Sequence, residues 1–402
     1  MSKPLDSPRS KNPREQSKHS RFIAALNSNK QVSGLTHIYY RYPARFSPEF
    51  AREAIQLFTR PGDLVLDPFL GGGTSGVEAV ATGRRFVGTD INPLAHFVSG
   101  VKTKVLSPRD VDQIASWIER VHGSFHINRR ETQSARWESY QKNVPWRIRR
   151  GLAYLLASLQ HLPSTRQRAF ARCSILSAGQ WALDCRSHVP GISELLIAHR
   201  RIVTDMIAGN AQFRRSVTES YGRSSSPACG LYCTDAALLS KNAGLRKFGR
   251  PKLVLTSPPY LGVHVLYHRW QVLGRRETPA PYWIANRPDG HGGAFYTFAD
   301  RKSISPERYL KRLQACFTAI REVSDRRTQI VQLVAFPDAD VQLPIYLGAL
   351  ADVGLQHCES FDTNLRGTDL TRDVPNRRWY AEVNKQSHSS REFLLVHRLR
   401  QR

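Results

Sequence analysis

The sequence predicts an α/β fold: a mostly parallel sheet whose strands alternate with helices, interrupted by an α-helical insertion. Three observations predict it. Short apolar runs at residues 64–66, 85–89, 252–255 and 328–336 are separated by segments of helical period. Two of these runs lead into loops of distinctive chemistry, a triple glycine after the first and a proline pair after the third. Between residues 107 and 226 the strand signals give way to amphipathic, arginine-rich stretches.

Residues 1–30 are polar and basic and carry Pro4, Pro8 and Pro13 near their start, so a disordered basic arm is expected. Residues 31–106 are expected to form the first half of the core. Ser47 is placed to cap a helix, Pro48 suits its first position, and Ala51, Ala54, Ile55 and Phe58 share one face. Arg60-Pro61-Gly62-Asp63 breaks that helix before the strand at 64–66. A helix over 75–82 stops at Gly83, and the strand at 85–89 ends on Asp90. This is a β-α-β unit, which requires parallel strands.

Residues 107–226 read as the helical insertion, with helices near 111–121, 146–159 and 192–207, and are a possible DNA-recognition region. Residues 227–402 resume the core as its second half. Strands are expected at 230–235 and 252–255, followed by a loop over 261–303. Ser305-Pro306-Glu307 opens another helix, and a strand at 328–336 follows. A helix at 344–353 stopped by Gly354 and strands at 355–361 and 392–397 complete the chain.

The 402 residues hold 59 Lys and Arg against 33 Asp and Glu, a formal charge of +26, and the pI is near 10.3. Such an excess favours a polyanionic partner, because each neutralised phosphate releases condensed counterions. Six cysteines do not suggest a disulfide framework. Cys229 and Cys233 form an isolated Cys-x3-Cys without a second pair, so no metal site is expected. With no long apolar run and no signal peptide in view, a cytoplasmic location is the expectation, without a membrane partner.

The glycine loop, Asp67-Pro68-Phe69-Leu70-Gly71-Gly72-Gly73-Thr74, permits torsions and close approaches that side chains would block. Asp90 lies 23 positions beyond Asp67 at the end of the next strand, where a carboxylate can accept from two ribose hydroxyls. A carboxylate at Asp67 suits a cationic or amino-bearing ligand better than a pyrophosphate, which favours S-adenosyl-L-methionine over a dinucleotide. Phe69 is placed to pack on such a cofactor, and Asp235, at the end of its strand, to accept from an adenine amino group.

The second loop is Thr256-Ser257-Pro258-Pro259-Tyr260. Its prolines stiffen the backbone and lack N–H donors, so the carbonyls of Ser257 and Pro258 can serve as fixed acceptors. An exocyclic amino group donating to them has its lone pair made available for attack on a methyl sulfonium. Tyr260 offers a face on which an extruded base can stack. No covalent nucleophile is needed, and catalysis rests on positioning and electrostatics.

Asp67-Pro68-Phe69-x-Gly71-x-Gly73 together with Thr256-Ser257-Pro258-Pro259-Tyr260 resembles the amino-methyltransferases of DNA. The segment Tyr42-Pro43-Ala44-Arg45-Phe46-Ser47-Pro48 resembles the helix-leading motif that closes the methionine end of the cofactor pocket in that family. The resemblance covers about 37–105 and 230–400, and it implies a Rossmann-like methyltransferase core. It implies cofactor binding by Tyr42, Pro43, Phe46, Asp67, Phe69, Gly71, Gly73, Thr74 and Asp90, and base recognition by Ser257, Pro258, Pro259 and Tyr260. Serine before the proline pair looks like the N4-cytosine group, while the N6-adenine group more often carries Asp or Asn there. The insertion departs from the family, since it falls between the Asp90 and Asp235 strands.

The resemblance implies methylation of a flipped base in DNA, at N4 of cytosine or N6 of adenine, within restriction-modification or another host or phage system. DNA is the expected partner, with a cognate restriction endonuclease in the first of those settings. An RNA methyltransferase and a catalytically silent DNA-binding protein are the alternatives. Two segments are candidates for reading the nucleic acid: the insertion, and the loop bearing His264, Tyr267, His268, Arg269, Trp270, Arg275 and Arg276. Arg377 and Arg378, before Trp379-Tyr380, are candidates for phosphate contact.

Overall fold

The computed structural model describes residues 13–28, 30, 32–43, 45–123, 135–222, 228–260, 269–274, 276–289, 298, 305–358, 370–373 and 391–400. In chain order it begins with α1 (Pro13–Leu26), α2 (Pro48–Phe58), β1 (Leu64–Asp67), α3 (Thr74–Ala81), β2 (Arg85–Asp90) and α4 (Pro93–Lys102). The insertion follows as α5 (Pro108–Gly123), α6 (Trp146–Ser158), α7 (Thr165–Leu183) and α8 (Ile192–Tyr221). The sheet then resumes with β3 (Cys229–Cys233), a short α9 (Ala243–Arg246) and β4 (Leu253–Thr256). Beyond the proline pair come β5 (Trp270–Val272), β6 (Arg276–Thr278), α10 (Ala280–Ala285) and α11 (Pro306–Val323). The last elements are β7 (Gln329–Ala335), α12 (Ala339–Asp352), β8 (Leu355–His357), β9 (Thr371–Asp373) and β10 (Arg391–Leu399).

The main sheet runs β3-β2-β1-β4-β7-β10-β8, with β9 pairing β10. The strands from β3 to β7 are all parallel, and β10 is antiparallel to each of its neighbours. Every residue of β1 and β4 is buried, as a parallel strand covered on both faces requires. β1 has β2 on one side and β4 on the other, so the strand order reverses there. The crevice outside the carboxyl ends of strands at such a switch point is where open α/β sheets bind ligands.

Three differences from the sequence expectations have physical reasons. Where a disordered arm is expected over residues 1–30, Pro13–Leu26 is helical. Its few apolar residues cluster at one end: Phe22 is fully buried, stacked obliquely on Phe50 at 5.6 Å and edge-on to Phe58 at 6.0 Å. Composition averages such a cluster away, but burial of one aromatic ring on α2 is enough to fix the helix. Second, the expected loop after the proline pair contains β5, β6 and α10. Trp270, Val272, Tyr282 and Ile284 join one hydrophobic cluster with α4, α5, α6, α7 and α8, so this segment packs with the insertion. Third, α12 starts at Ala339, capped by Asp338, and carries Pro344 inside it instead of at its start.

Helix α4 is an element the sequence reading did not assign. Asn92 caps it and Pro93 occupies its first turn. Helix α8 runs past the expected stop near 207, because Phe213 and Val217 continue its buried face onto the cluster beneath α2 and α3. No helix among the described residues is long and apolar enough to cross a membrane.

Candidate active site

A cleft opens at the carboxyl ends of β1, β2 and β4, walled by Tyr42, Phe69, Gly71, Asp90, Ile91, Asn92, Asp235, Ser257, Pro259 and Arg312. Both sequence motifs therefore contribute to one site. The glycine loop reaches it by two left-handed residues, Gly71 at φ 47° and Gly73 at φ 76°. A side chain on Gly72 would place its Cβ 2.8 Å from Tyr42 Cβ, so the loop and the Tyr42 segment lie against one another without spare room.

Asp90 closes the glycine loop. Its Oδ2 accepts from Gly71 N at 2.7 Å and its Oδ1 from Asn92 N at 2.8 Å. Each oxygen retains a further lone pair. Burial pushes the Asp90 carboxyl up to about 6, although both backbone donors oppose that rise. A carboxylate with one free acceptor site per oxygen fits a vicinal diol. Asn92 extends the array, donating to Tyr42 Oη at 3.1 Å while its Oδ1 accepts from Tyr282 Oη at 3.1 Å.

Asp67 is placed differently from the expectation that it meets a ligand. It is 2% exposed and does not wall the cleft. Oδ1 accepts from Thr256 Oγ1 at 2.8 Å and from Phe69 N at 3.1 Å, and Oδ2 accepts from Ser75 Oγ. Burial raises its carboxyl to about 6 against these three donors, with the Asp90 charge adding a smaller rise. Asp67 is a buried tie between the glycine loop, α3 and the end of β4.

Of the other expected residues, Phe46 packs edge-on to Phe50 at 5.7 Å in the core, and Thr74 is buried at the start of α3. Pro43, Gly73, Pro258 and Tyr260 also stand behind the wall of the cleft. Tyr260 Oη donates to Glu392 and contacts Ser257 Oγ, and Pro259 O accepts from Tyr309 Oη at 2.8 Å. Asp235 caps the turn after β3 through Ala237 N and is ion-paired with Arg312. Phe298 meets Phe69 edge-on at 5.6 Å.

Together Phe298 and Arg312 narrow the cleft to about 80 Å³. A nucleoside-sized ligand needs several hundred Å³, so it fits only when these two side chains move aside. Residues around the cleft suit S-adenosyl-L-methionine in kind: a diol acceptor in Asp90, an aromatic face in Phe69, and an acceptor in Asp235. A larger cavity of about 740 Å³ lies between α4, α7 and α8, bordered by Lys104, Arg166 and Arg214. It contains neither motif.

Sequence reasoning missed three residues of this region. Arg312 carries no local signal, being one arginine of α11. Glu392 appears in the sequence only as the start of a strand. Lys102 is 1% exposed and donates to Tyr40 O at 3.1 Å and Gly72 O at 3.0 Å, so it props the glycine loop from below. Burial lowers its ammonium to about 7, and the Arg45 charge adds to the fall.

On the insertion, Trp146 is 54% exposed, with Arg147 and Arg150 set over its ring at 5.4 and 5.7 Å. Arg269 is paired with Glu277 at 3.2 Å. His264, Tyr267, His268, Arg275, Arg377, Arg378, Trp379 and Tyr380 lie outside the described residues. No group of three or more His, Cys, Asp or Glu able to hold a metal ion occurs among the described residues.

Residues 3–97 match the family profile described as DNA methylase. Over 104 residues the chain is 38% identical to the Type II methyltransferase M.MvaI of Kocuria varians, covering 25% of this chain and 22% of that protein. Over 82 residues it is 34% identical to the DNA adenine methyltransferase YhdJ of Escherichia coli (strain K12), covering 20% and 28%. Over 70 residues it is 37% identical to the orphan methyltransferase M.BamHII of Bacillus amyloliquefaciens, covering 17% and 26%. The chain thus spans less than a third of the length of these curated relatives. An rRNA methyltransferase, aviRa from Streptomyces viridochromogenes, overlays 78% of this chain and 82% of its own with a TM-score of 0.30 and 9% identity, too distant to bear on function.

Proposed function

From a chain that belongs to the DNA amino-methyltransferase family, we propose an enzyme that moves a methyl group from S-adenosyl-L-methionine to the exocyclic amino group of a flipped DNA base. The observation that supports this most is the meeting of the two motifs at one crevice, joined by the Thr256–Asp67 hydrogen bond. When bound, the cofactor supplies a methyl group on a sulfonium. Asp90 accepts from its ribose, Phe69 packs on its ring, and Asp235 accepts from its amino group once released by Arg312. Tyr42, pinned by Asn92, closes the far side.

For the base, the carbonyls of Ser257 and Pro258 accept the amino hydrogens, and Tyr260 is the stacking face. They orient the nitrogen lone pair along the line of displacement. As the N–C bond forms the C–S bond breaks, the sulfonium becomes a neutral thioether, and the methylated nitrogen gives one proton to solvent. No residue is alkylated. The charge of +26 supports a polyanionic substrate, and the exposed Trp146 with Arg147 and Arg150 suits a phosphate-and-base contact.

Ser257 at the head of the proline pair favours N4 of cytosine. The second reading is N6 of adenine, favoured by the 34% identity to a DNA adenine methyltransferase. One experiment tests both. The protein is incubated with labelled S-adenosyl-L-methionine and DNA or RNA of varied sequence, the products are digested to nucleosides, and the methylated species is identified by mass. N4-methylcytosine is expected. N6-methyladenine overturns the base assignment, label on RNA alone overturns the DNA substrate, and cofactor binding without transfer indicates a silent binding protein.

A further inference from the structure

The ring of the proline-pair loop is held from behind by a buried ion pair that belongs to neither motif. Tyr260 Oη donates to Glu392 Oε1 at 2.9 Å, and Glu392 Oε2 accepts from Arg372 Nε at 2.7 Å. Glu392 is 5% exposed and the Arg372 side chain 9%. The two residues are direct cross-strand partners of β10 and β9, and Glu392 faces Ala335 of β7 on its other side. The carboxylate is thus fixed by the sheet, and an opposite-charge pair at one register position reinforces it.

The hydrogens of this array can be counted. Ser257 Oγ donates to Leu333 O at 2.9 Å and lies 2.8 Å from Tyr260 Oη. Each hydroxyl has one hydrogen, and a carboxylate only accepts. The Tyr260 hydrogen goes to Glu392, because a bond to a charged acceptor is the stronger of its two choices. The Ser257 hydrogen goes to Leu333 O. Two hydrogens therefore serve three oxygen–oxygen contacts, and the Ser257–Tyr260 contact is one hydrogen short. Ser257 walls the cleft, so a donor arriving there can supply it.

We propose that Glu392, held by Arg372, is a positioning residue that fixes the direction of the Tyr260 and Ser257 hydroxyls, so that the proline-pair loop presents only acceptors and selects bases bearing an amino group. This rests on the methyl-transfer reading above. An exocyclic N–H completes the array, whereas a ring carbonyl at the same place adds a further acceptor to a site already short of hydrogen. Selectivity between amino and keto edges then follows from a carboxylate that does not touch the base.

Glu392→Gln tests it, because the amide keeps the shape but can donate to Tyr260 Oη and turn the phenol hydrogen toward Ser257. The expected result is a fall in kcat on DNA of about 10-fold to 100-fold, with the Kd for S-adenosyl-L-methionine within about twofold of the parent. Arg372→Lys, which retains the charge, is expected to fall less. A second readout does not use activity: 3-fluorotyrosine placed at position 260 is expected to show a displaced ¹⁹F resonance in Glu392→Gln. An unchanged kcat in an active protein, or an unmoved resonance, overturns the inference. A parent that methylates no DNA while its resonance still responds to Glu392→Gln leaves the array standing and removes the methyl-transfer reading instead.

Discussion

Thr256 Oγ1 donates to Asp67 Oδ1 across 2.8 Å, although the two residues are 189 positions apart. The bond is wholly buried and joins the carboxyl ends of the adjacent strands β1 and β4. Asp67 thereby serves both loops at once, since its other donors are Phe69 N in the glycine loop and Ser75 at the start of α3. The geometry of the cofactor side and that of the base side are consequently not independent. A shift of the proline-pair loop pulls on the same carboxylate that organises the glycines.

The Thr256→Val substitution keeps the volume and removes that donor. The buried carboxylate then has two donors where it had three, and losing a hydrogen bond to a buried charged group costs about 1–3 kcal/mol. Urea unfolding is expected to show that loss, and isothermal titration a weaker cofactor, even though Thr256 does not wall the cleft. Unchanged stability would mean that Asp67 is satisfied without β4.

Gly72→Ala probes the seam between the glycine loop and the Tyr42 segment. The added Cβ would lie 2.8 Å from Tyr42 Cβ and 3.4 Å from its Cγ, contacts that the backbone must open to relieve. Because Tyr42 is pinned through Asn92 and Tyr282, the strain passes into the cleft wall. Cofactor affinity is expected to drop about tenfold or more, with a smaller change in melting temperature. A crystal structure of the variant with Tyr42 unmoved and affinity intact would refute this account.

Asp90 gives the site a pH dependence. Its carboxyl is pushed up to about 6 by burial, and only the ionised form offers acceptors on both oxygens to a diol. Cofactor affinity is therefore expected to rise as pH increases through about 6 and to level off above 7. Asp90→Asn should bind more weakly at pH 8 and show no such step. A step of the same size in the variant would assign it to another group.

Much of this site was legible in the sequence because its parts are local. Three glycines, two prolines and the apolar runs before them mark loops at strand ends regardless of what surrounds them. Ser47-Pro48 marks α2 for the same reason, and Asn92-Pro93 carries the equal signal for α4 that the sequence reading left unassigned. What was not legible depends on residues brought together from afar. Nothing near Asp67 in sequence says that Thr256 will fill one of its lone pairs. Arg312 and Glu392 look like ordinary residues of a helix and a strand until Asp235 and Tyr260 are set beside them. The helix at 13–26 escaped notice because one buried phenylalanine outweighs a polar composition.

Lys102 supplies the last prediction, and its sign is unusual. A lysine ordinarily titrates near 10.5, and burial here lowers Lys102 to about 7 with a smaller contribution from Arg45. Between those two values the unfolded chain binds a proton that the folded protein has released, so the stability contributed by this group rises with pH across that window. The neutral amine still has two hydrogens, one for Tyr40 O and one for Gly72 O, and thus loses neither bond. Lys102→Met abolishes the titration and leaves both carbonyls unpaired, at about 1–3 kcal/mol for each. Other groups titrate alike in the two proteins, so the difference in unfolding free energy between parent and variant isolates Lys102. That gap is expected to widen from pH 7 to pH 9. Parallel curves would show that the ammonium keeps its ordinary value and that the glycine loop rests on a permanent charge.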